Sequence, residues 1–199
     1  MSRITLALLA AAAIAGPAMA QTAPDTSRNF NGAFVGGQLG WQQDRQSLTD
    51  LASPPNTLRA KGSGLLYGGQ IGYDFNLGGA VIGIETSLTG RTGSNSFPTF
   101  DLEPGRTVNV TGRAGVLVTP EGLLYARGGY SNARFSIPNG PRENRDGYTI
   151  GAGYEQKLTQ NISARIEYNY SDYGNDTLPG NGSLNYHRHA VTTGLNFRF

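Results

Sequence analysis

Eight segments of the chain alternate apolar and polar residues with a period of two, the pattern of strands that bury one face in an apolar medium and keep the other face polar. Ala33 to Gln43 sets Val35, Leu39 and Trp41 against Gly36, Gln38, Gly40 and Gln42. Gly64 to Phe75 sets Tyr67, Ile71, Tyr73 and Phe75 against Gly68, Gln70, Gly72 and Asp74. In Ala80 to Arg91, Ile82, Ile84 and Leu88 oppose Gly83, Glu85, Ser87 and Thr89. In Thr107 to Val118, Val108, Val110, Ala114, Val116 and Val118 oppose Asn109, Thr111 and Arg113. Leu123 to Ala133 is less regular: Leu123 and Tyr125 share the side of Arg127, while Leu124, Ala126, Gly128 and Tyr130 take the other. Gly147 to Lys157 puts Tyr148, Ile150, Ala152 and Tyr154 opposite Thr149, Gly151, Gly153 and Glu155, and Ile162 to Tyr173 puts Ile162, Ala164, Ile166, Tyr168 and Tyr170 opposite Ser163, Arg165, Glu167, Asn169 and Ser171. His187 to Phe199 ends the set, with His189, Val191, Thr193, Leu195, Phe197 and Phe199 on one side and Arg188, Ala190, Thr192, Gly194, Asn196 and Arg198 on the other.

The connections alternate as strictly as the residues. Asn76 to Gly79, Thr119 to Gly122 and Leu158 to Asn161 have the length and composition of tight turns. Asp44 to Ser63, Thr92 to Arg106, Arg134 to Asp146 and Gly174 to Tyr186 are long. Short turns at one end and long loops at the other are the sequence form of an all-β, eight-stranded antiparallel up-and-down transmembrane β-barrel, here expected over residues 32–199 with both termini on the short-turn side. Aromatics crowding one end of the last segment fit the level of lipid headgroups, and Trp41, Tyr67, Tyr73, Tyr148, Tyr154, Tyr168 and Tyr170 read as aromatic girdles rather than a stacking platform.

The first residues have a different origin. Arg3, the apolar run Ile4 to Ile14 and the small-residue site Ala18-Met19-Ala20 predict a secretory signal peptide over residues 1–20, followed by a flexible lead-in over 21–31. The remainder contains no apolar run long enough for a membrane helix. Only 15% of residues are charged, while glycine (29) and tyrosine (10) are abundant, which suits strands with one apolar and one wet face better than a charge-coated globule. Cysteine is absent, so no thiol chemistry is available. Without Arg3 the chain has 15 basic and 14 acidic side chains, a balance that gives no basic patch for nucleic acid.

Closure of eight strands leaves an interior just wide enough to be filled by side chains. The polar faces supply a filling of Glu85, Arg113, Arg127, Glu155, Arg165 and Glu167, with Gly36, Gly40, Gly72, Gly83, Gly115 and Gly153 making room for long side chains. Counting across the short turns sets Arg113 opposite Arg127 and Glu155 opposite Arg165, so the two opposed arginines are expected to take Glu85 or Glu167 as partners. The result is a nearly neutral charge network in the lumen: a core turned inside out rather than a gate.

Other chemistry is thinner. His187 and His189 stand near Asp172, Asp176 and Ser183, but a triad needs nucleophile, base and orienter within hydrogen-bond reach, and the two histidines point to the lipid side. The same pair could contact haem or a metal, but two histidines at i, i+2 with no third ligand make a weak site. No metal and no cofactor is expected. Gly128-Gly129 lacks the Lys-Ser/Thr and the helix of a phosphate loop.

With these residues in view, the chain resembles the OmpA-like eight-stranded barrels, and among them the porin-family proteins that include small outer-membrane antigens of alphaproteobacteria. The residues that carry the resemblance are the signal peptide, Ala33-Phe34-Val35-Gly36-Gly37, Gly147 to Glu155, Ala164 to Gly174 and the terminal Gly194-Leu195-Asn196-Phe197-Arg198-Phe199. It covers nearly all of the mature chain. The resemblance implies the outer membrane of a Gram-negative bacterium, contact with its lipid, and Phe199 as part of the signal read by the barrel-assembly machinery. It implies no shared ligand. The function expected is a non-enzymatic barrel that supports the envelope and presents four external loops, with at most a narrow pore. The alternative is a module whose loops take an external ligand, haem or a host surface.

Overall fold

The computed structural model describes residues 29–50, 56–92, 95–96, 101–136, 142–178 and 182–199, so the expected signal peptide and most of the lead-in lie outside the described residues. The strands are β1 (Gly32–Asp50), β2 (Asn56–Asn76), β3 (Ala80–Arg91), β4 (Asn95–Ser96), β5 (Asp101–Thr119), β6 (Gly122–Ser136), β7 (Arg142–Lys157), β8 (Ile162–Leu178) and β9 (Gly182–Arg198). Every pairing is antiparallel: β3-β2-β1-β9-β8-β7-β6-β5 in order, with β5 returning to β3 to close an eight-stranded barrel. The two-residue β4 pairs with the far end of β5 and takes no part in the closure. Closure leaves no edge along the barrel, which a strand in hydrocarbon requires because nothing there can pair with a free N–H or C=O.

The short turns are built as their composition predicts. Between β2 and β3, Leu77 N–H donates to Ala80 C=O at 2.7 Å, and the Asn76 side-chain oxygen accepts from Gly78 N–H (2.9 Å) and Gly79 N–H (3.1 Å). Gly78 and Gly79 hold φ of 83° and 116°, values that a side chain rarely permits. Between β7 and β8, Thr159 Oγ1 accepts from Asn161 N–H (3.3 Å) and Ile162 N–H (3.0 Å).

Burial is inverted relative to a water-soluble domain. Among the described residues, buried polar and charged side chains outnumber buried apolar ones, while Leu39, Trp41, Ile71, Ile84, Ile166 and Leu195 on the outer surface are more than half exposed. Such a surface stays apolar only if its surroundings are hydrocarbon. The alternation read from the sequence is the alternation observed. On β3, for example, Glu85, Ser87, Thr89 and Arg91 point in while Ile82, Ile84 and Leu88 point out.

Two expectations need correction. The strands run well past the alternating segments: the β1–β2 ladder continues to Asp50↔Asn56, β6–β7 to Ser136↔Arg142 and β8–β9 to Leu178↔Gly182. Most of the expected long loops are therefore hairpin arms, and the tips at 51–55, 137–141 and 179–181 lie outside the described residues. Above the bilayer both faces of a hairpin meet water, so apolar alternation stops while the backbone ladder does not. Alternation marks the membrane zone, not the end of the sheet.

The second correction concerns the lead-in, whose last three residues are held. Asn29 donates to Pro120 C=O (2.7 Å), and its own carbonyl and side-chain oxygens accept from Asn76 Nδ2 (2.6 Å) and Lys157 Nζ (3.1 Å). These bonds fix Phe30, fully buried against Val81, Leu123 and Tyr125, as an apolar stopper at the short-turn end. A phenyl ring gains more from this burial than from solvent, and that ties down a segment otherwise too polar to pack.

Candidate functional site

Among the described residues the lumen holds eleven buried charges in three levels, and all but one of them cancel. The lowest level is a closed ring of alternating sign. Arg113 donates Nε to Asp74 at 2.7 Å and Nη1 to Glu155 at 2.9 Å, while Arg198 donates Nη1 to Asp74 at 2.8 Å and Nη2 to Glu155 at 2.8 Å. Asn196 (2.9 Å) and Ser163 also donate to Glu155, so the carboxylate's acceptor sites are well used. Both guanidinium groups rest against the ring of Phe34, that of Arg113 at 4.7 Å and that of Arg198 at 4.9 Å from its centre, a position that favours a cation over an aromatic face.

The middle level repeats the device. Glu85 pairs with Arg127 (3.0 Å) and Arg165 (2.6 Å), and Glu167 pairs with Arg127 (3.0 Å) and stands 3.6 Å from Arg165. Tyr125 donates its hydroxyl to Glu167 (2.6 Å), and Arg127 reaches Thr111 Oγ1 (2.8 Å). The upper level is Asp44 with Arg91 and Arg188, each at 2.9 Å. Arg188 also bonds Thr107 (2.8 Å), Tyr173 (3.2 Å) and Tyr186 (2.7 Å). Two neutral rings and a cluster with one excess positive charge make the nearly neutral filling.

Glycine places these partners. Side chains on strands two apart in a sheet start about 10 Å from each other, and they meet only if the strand between them offers no side chain. Gly83 sits in register between Asp74 and Arg113, and a Cβ there would lie 2.2 Å from Asp74 Oδ1. Gly153 sits between Tyr125 and Glu167, where a Cβ would meet the Tyr125 hydroxyl at 2.7 Å. Gly36 sits between Gln70 and Asn196, whose side chains bond at 2.8 Å across it.

All six sequence-predicted lumen residues, Glu85, Arg113, Arg127, Glu155, Arg165 and Glu167, are buried and ion-paired. Arg113 does lie opposite Arg127 and Glu155 opposite Arg165 in the ladders. The expected partners hold for Arg127 alone. Arg113 takes Asp74 and Glu155, one level below Glu85, because opposed like charges diverge toward different levels. Sequence reasoning left Asp74, Arg198, Asp44, Arg91 and Arg188 out of the network, although parity already set Asp74, Arg188 and Arg198 on polar faces.

Between the middle and upper levels lies a polar cavity of about 40 Å³, bordered by Gln38, Thr89, Asn109, Arg127, Asn169 and Arg188. At 10–15 Å³ per water it has room for about three waters. Arg127 Nε and Asn169 Oδ1 are buried polar atoms without a protein partner at this cavity, so its contents are polar. The volume accommodates no organic ligand.

The histidines lie on the outer surface, near the long-hairpin end. His187 Nδ1 is 2.9 Å from the Tyr170 hydroxyl and 3.5 Å from Asp172 Oδ2, and His189 Nδ1 is 2.7 Å from the Tyr168 hydroxyl. The partners are phenols; the side chains of Ser183 and Asp176 lie outside the described residues. Among the described residues no group of three or more His, Cys, Asp or Glu side chains is placed to hold a metal. Phe199 points outward at the short-turn end, edge-on to Phe197 at 5.2 Å, with its N–H on Ala33 C=O at 3.1 Å.

A closed barrel with an apolar exterior and a filled, ion-paired interior defines the class of integral β-barrel membrane proteins. More narrowly, the chain belongs to the outer membrane protein β-barrel domain family, whose model matches residues 6–199. The 22 kDa outer membrane protein of Rhizobium leguminosarum bv. viciae is 32% identical, over 67% of this chain and 66% of its own length. The 25 kDa outer-membrane immunogenic protein of Brucella ovis is 28% identical, over 80% of this chain and 76% of its own. Among solved structures, the outer membrane protease OmpT of Escherichia coli superimposes with a TM-score of 0.50 at 11% identity, covering 85% of this chain and 97% of that one. That likeness is one of fold alone.

Proposed function

We propose that this protein is a non-enzymatic barrel that crosses the outer membrane of a Gram-negative bacterium with eight strands, supports the envelope and presents four hairpins to the exterior. The observation that carries the reading is the double ring of buried ion pairs, Asp74-Arg113-Glu155-Arg198 and Glu85-Arg127-Glu167-Arg165, which crosses the lumen at two levels below a polar cavity of about 40 Å³. Single-channel recording of the pure protein in planar bilayers tests it. The parent is expected to show no wide, steady conductance, and Glu85→Ala, which removes the carboxylate shared by Arg127 and Arg165, is expected to leak more than the parent. A wide and steady parent conductance contradicts the closed lumen.

Phe199 is proposed as part of the assembly signal. Its support is position: an outward, 76% exposed aromatic at the short-turn end, where it covers no core. Deleting Phe199 is expected to lower the amount of folded barrel in cell outer membranes severalfold while leaving refolding of the pure chain in detergent nearly unchanged. Equal losses in both would make the residue structural.

A further inference from the structure

The wall of the barrel is interrupted near its external end, between Thr89↔Thr107 and Asn95↔Leu102, where pairing to β5 resumes on β4. The β3–β5 ladder stops at Thr89↔Thr107, although β3 runs on to Arg91 and β5 extends back to Asp101. At that point β5 carries a bulge: its register against β6 shifts between Pro104 and Thr107, and a Cβ at Gly105 would lie 2.7 Å from Arg134 C=O. Bulges bend a strand and re-aim its side chains. The strands therefore splay and leave an outward groove of about 490 Å³, bordered by Tyr67, Gly69, Leu88, Gly90 and Arg106.

The groove has an apolar floor and a cationic head. Gly69 and Gly90 keep it open, and the Tyr67 ring lies along it, 3.1 Å from where a Gly90 Cβ would be. On the other side of Tyr67 a second outward groove runs beside Gly37, Leu39, Ala164 and Leu195, so Tyr67 stands as a ridge between two channels. At the external end is Arg106, exposed, with no hydrogen bond or ion pair among the described residues. The outward apolar run of β5 ends at Val108, so Arg106 stands one pleat above it, at the level of lipid headgroups. One further step of the β3–β5 register would set Gly90, and the tyrosine ring over it, opposite Arg106. The Tyr67 hydroxyl also has no partner among the described residues.

We propose that this splay binds a phosphate-bearing glycolipid of the outer leaflet, with acyl chains in the channels beside Tyr67 and the phosphate on Arg106. Charge complementarity selects an anionic head, the apolar floor selects chains, and the position at the long-hairpin end selects the outer leaflet. The inference rests on the outer-membrane placement proposed above.

Native mass spectrometry of the whole refolded barrel with diphosphorylated lipid A tests it. One tightly held lipid per barrel is expected. Arg106→Ala should weaken retention about tenfold, the loss of one charge-assisted hydrogen bond, and so should removing the phosphates. Tyr67→Leu, which removes the ridge and the hydroxyl at an exposed site, should weaken it as well. Retention indifferent to Arg106→Ala and to dephosphorylation, or equal retention of phosphatidylglycerol, overturns the site. A parent that refolds and stays soluble without detergent or lipid overturns the membrane placement instead.

Discussion

Glu155→Ala is expected to destabilise the folded barrel by about 3–5 kcal/mol, the range for removing one partner from a buried ion pair. Glu155 is fully buried and receives Arg113, Arg198, Asn196 and Ser163. Without it both arginines must share Asp74, and the lower ring acquires a net positive charge in a lumen stoppered by Phe30. Equilibrium unfolding by urea in phospholipid bilayers measures the loss. Arg113→Ala alone is expected to cost a similar amount, because it strands two carboxylates on Arg198. The double variant retains the neutral Asp74–Arg198 pair at 2.8 Å, so its loss should fall clearly below the sum of the singles. A single loss under about 1 kcal/mol, or strict additivity, would mean that the ring is not a connected unit.

The same ring shows what a sequence discloses. Parity alone set Asp74 and Arg198 on polar faces, because the alternation of Gly64 to Phe75 and of His187 to Phe199 fixes which way each side chain points. Their partnership with Arg113 and Glu155 is a property of three strands at once. Pairs read across one hairpin miss it, because the partner lies beyond the neighbouring strand, and the only trace in the sequence is a glycine at the inward position between them. Joining the registers Asp74↔Gly83 and Gly83↔Arg113 would have found the pair. Phe34 escaped for a different reason. An aromatic facing inward breaks the polar pattern, and its role appears only when two guanidinium groups are seen to rest against it. The hairpin arms above the membrane were illegible because nothing there distinguishes the two faces of a strand.

Ile71→Arg is expected to cost about 2–4 kcal/mol when the barrel is folded in a bilayer, the cost of an arginine on the lipid face near the midplane. Ile71 is 65% exposed, lies near the middle of the outward apolar run of β2 from Leu65 to Phe75 and points away from the lumen. On a protein in water that exposure would make the change neutral or favourable, so the sign of the effect reports what surrounds the barrel. Leu65, six residues toward the external end, pairs with Trp41 in the ladder. It stands about 20 Å along the strand from Ile71, far enough on a tilted strand to reach the interface. Leu65→Arg should accordingly cost about 0–1 kcal/mol. Urea titration of both variants in phospholipid bilayers measures this gradient. Equal costs at the two positions, or a gain at Ile71, would mean that the apolar belt does not face hydrocarbon.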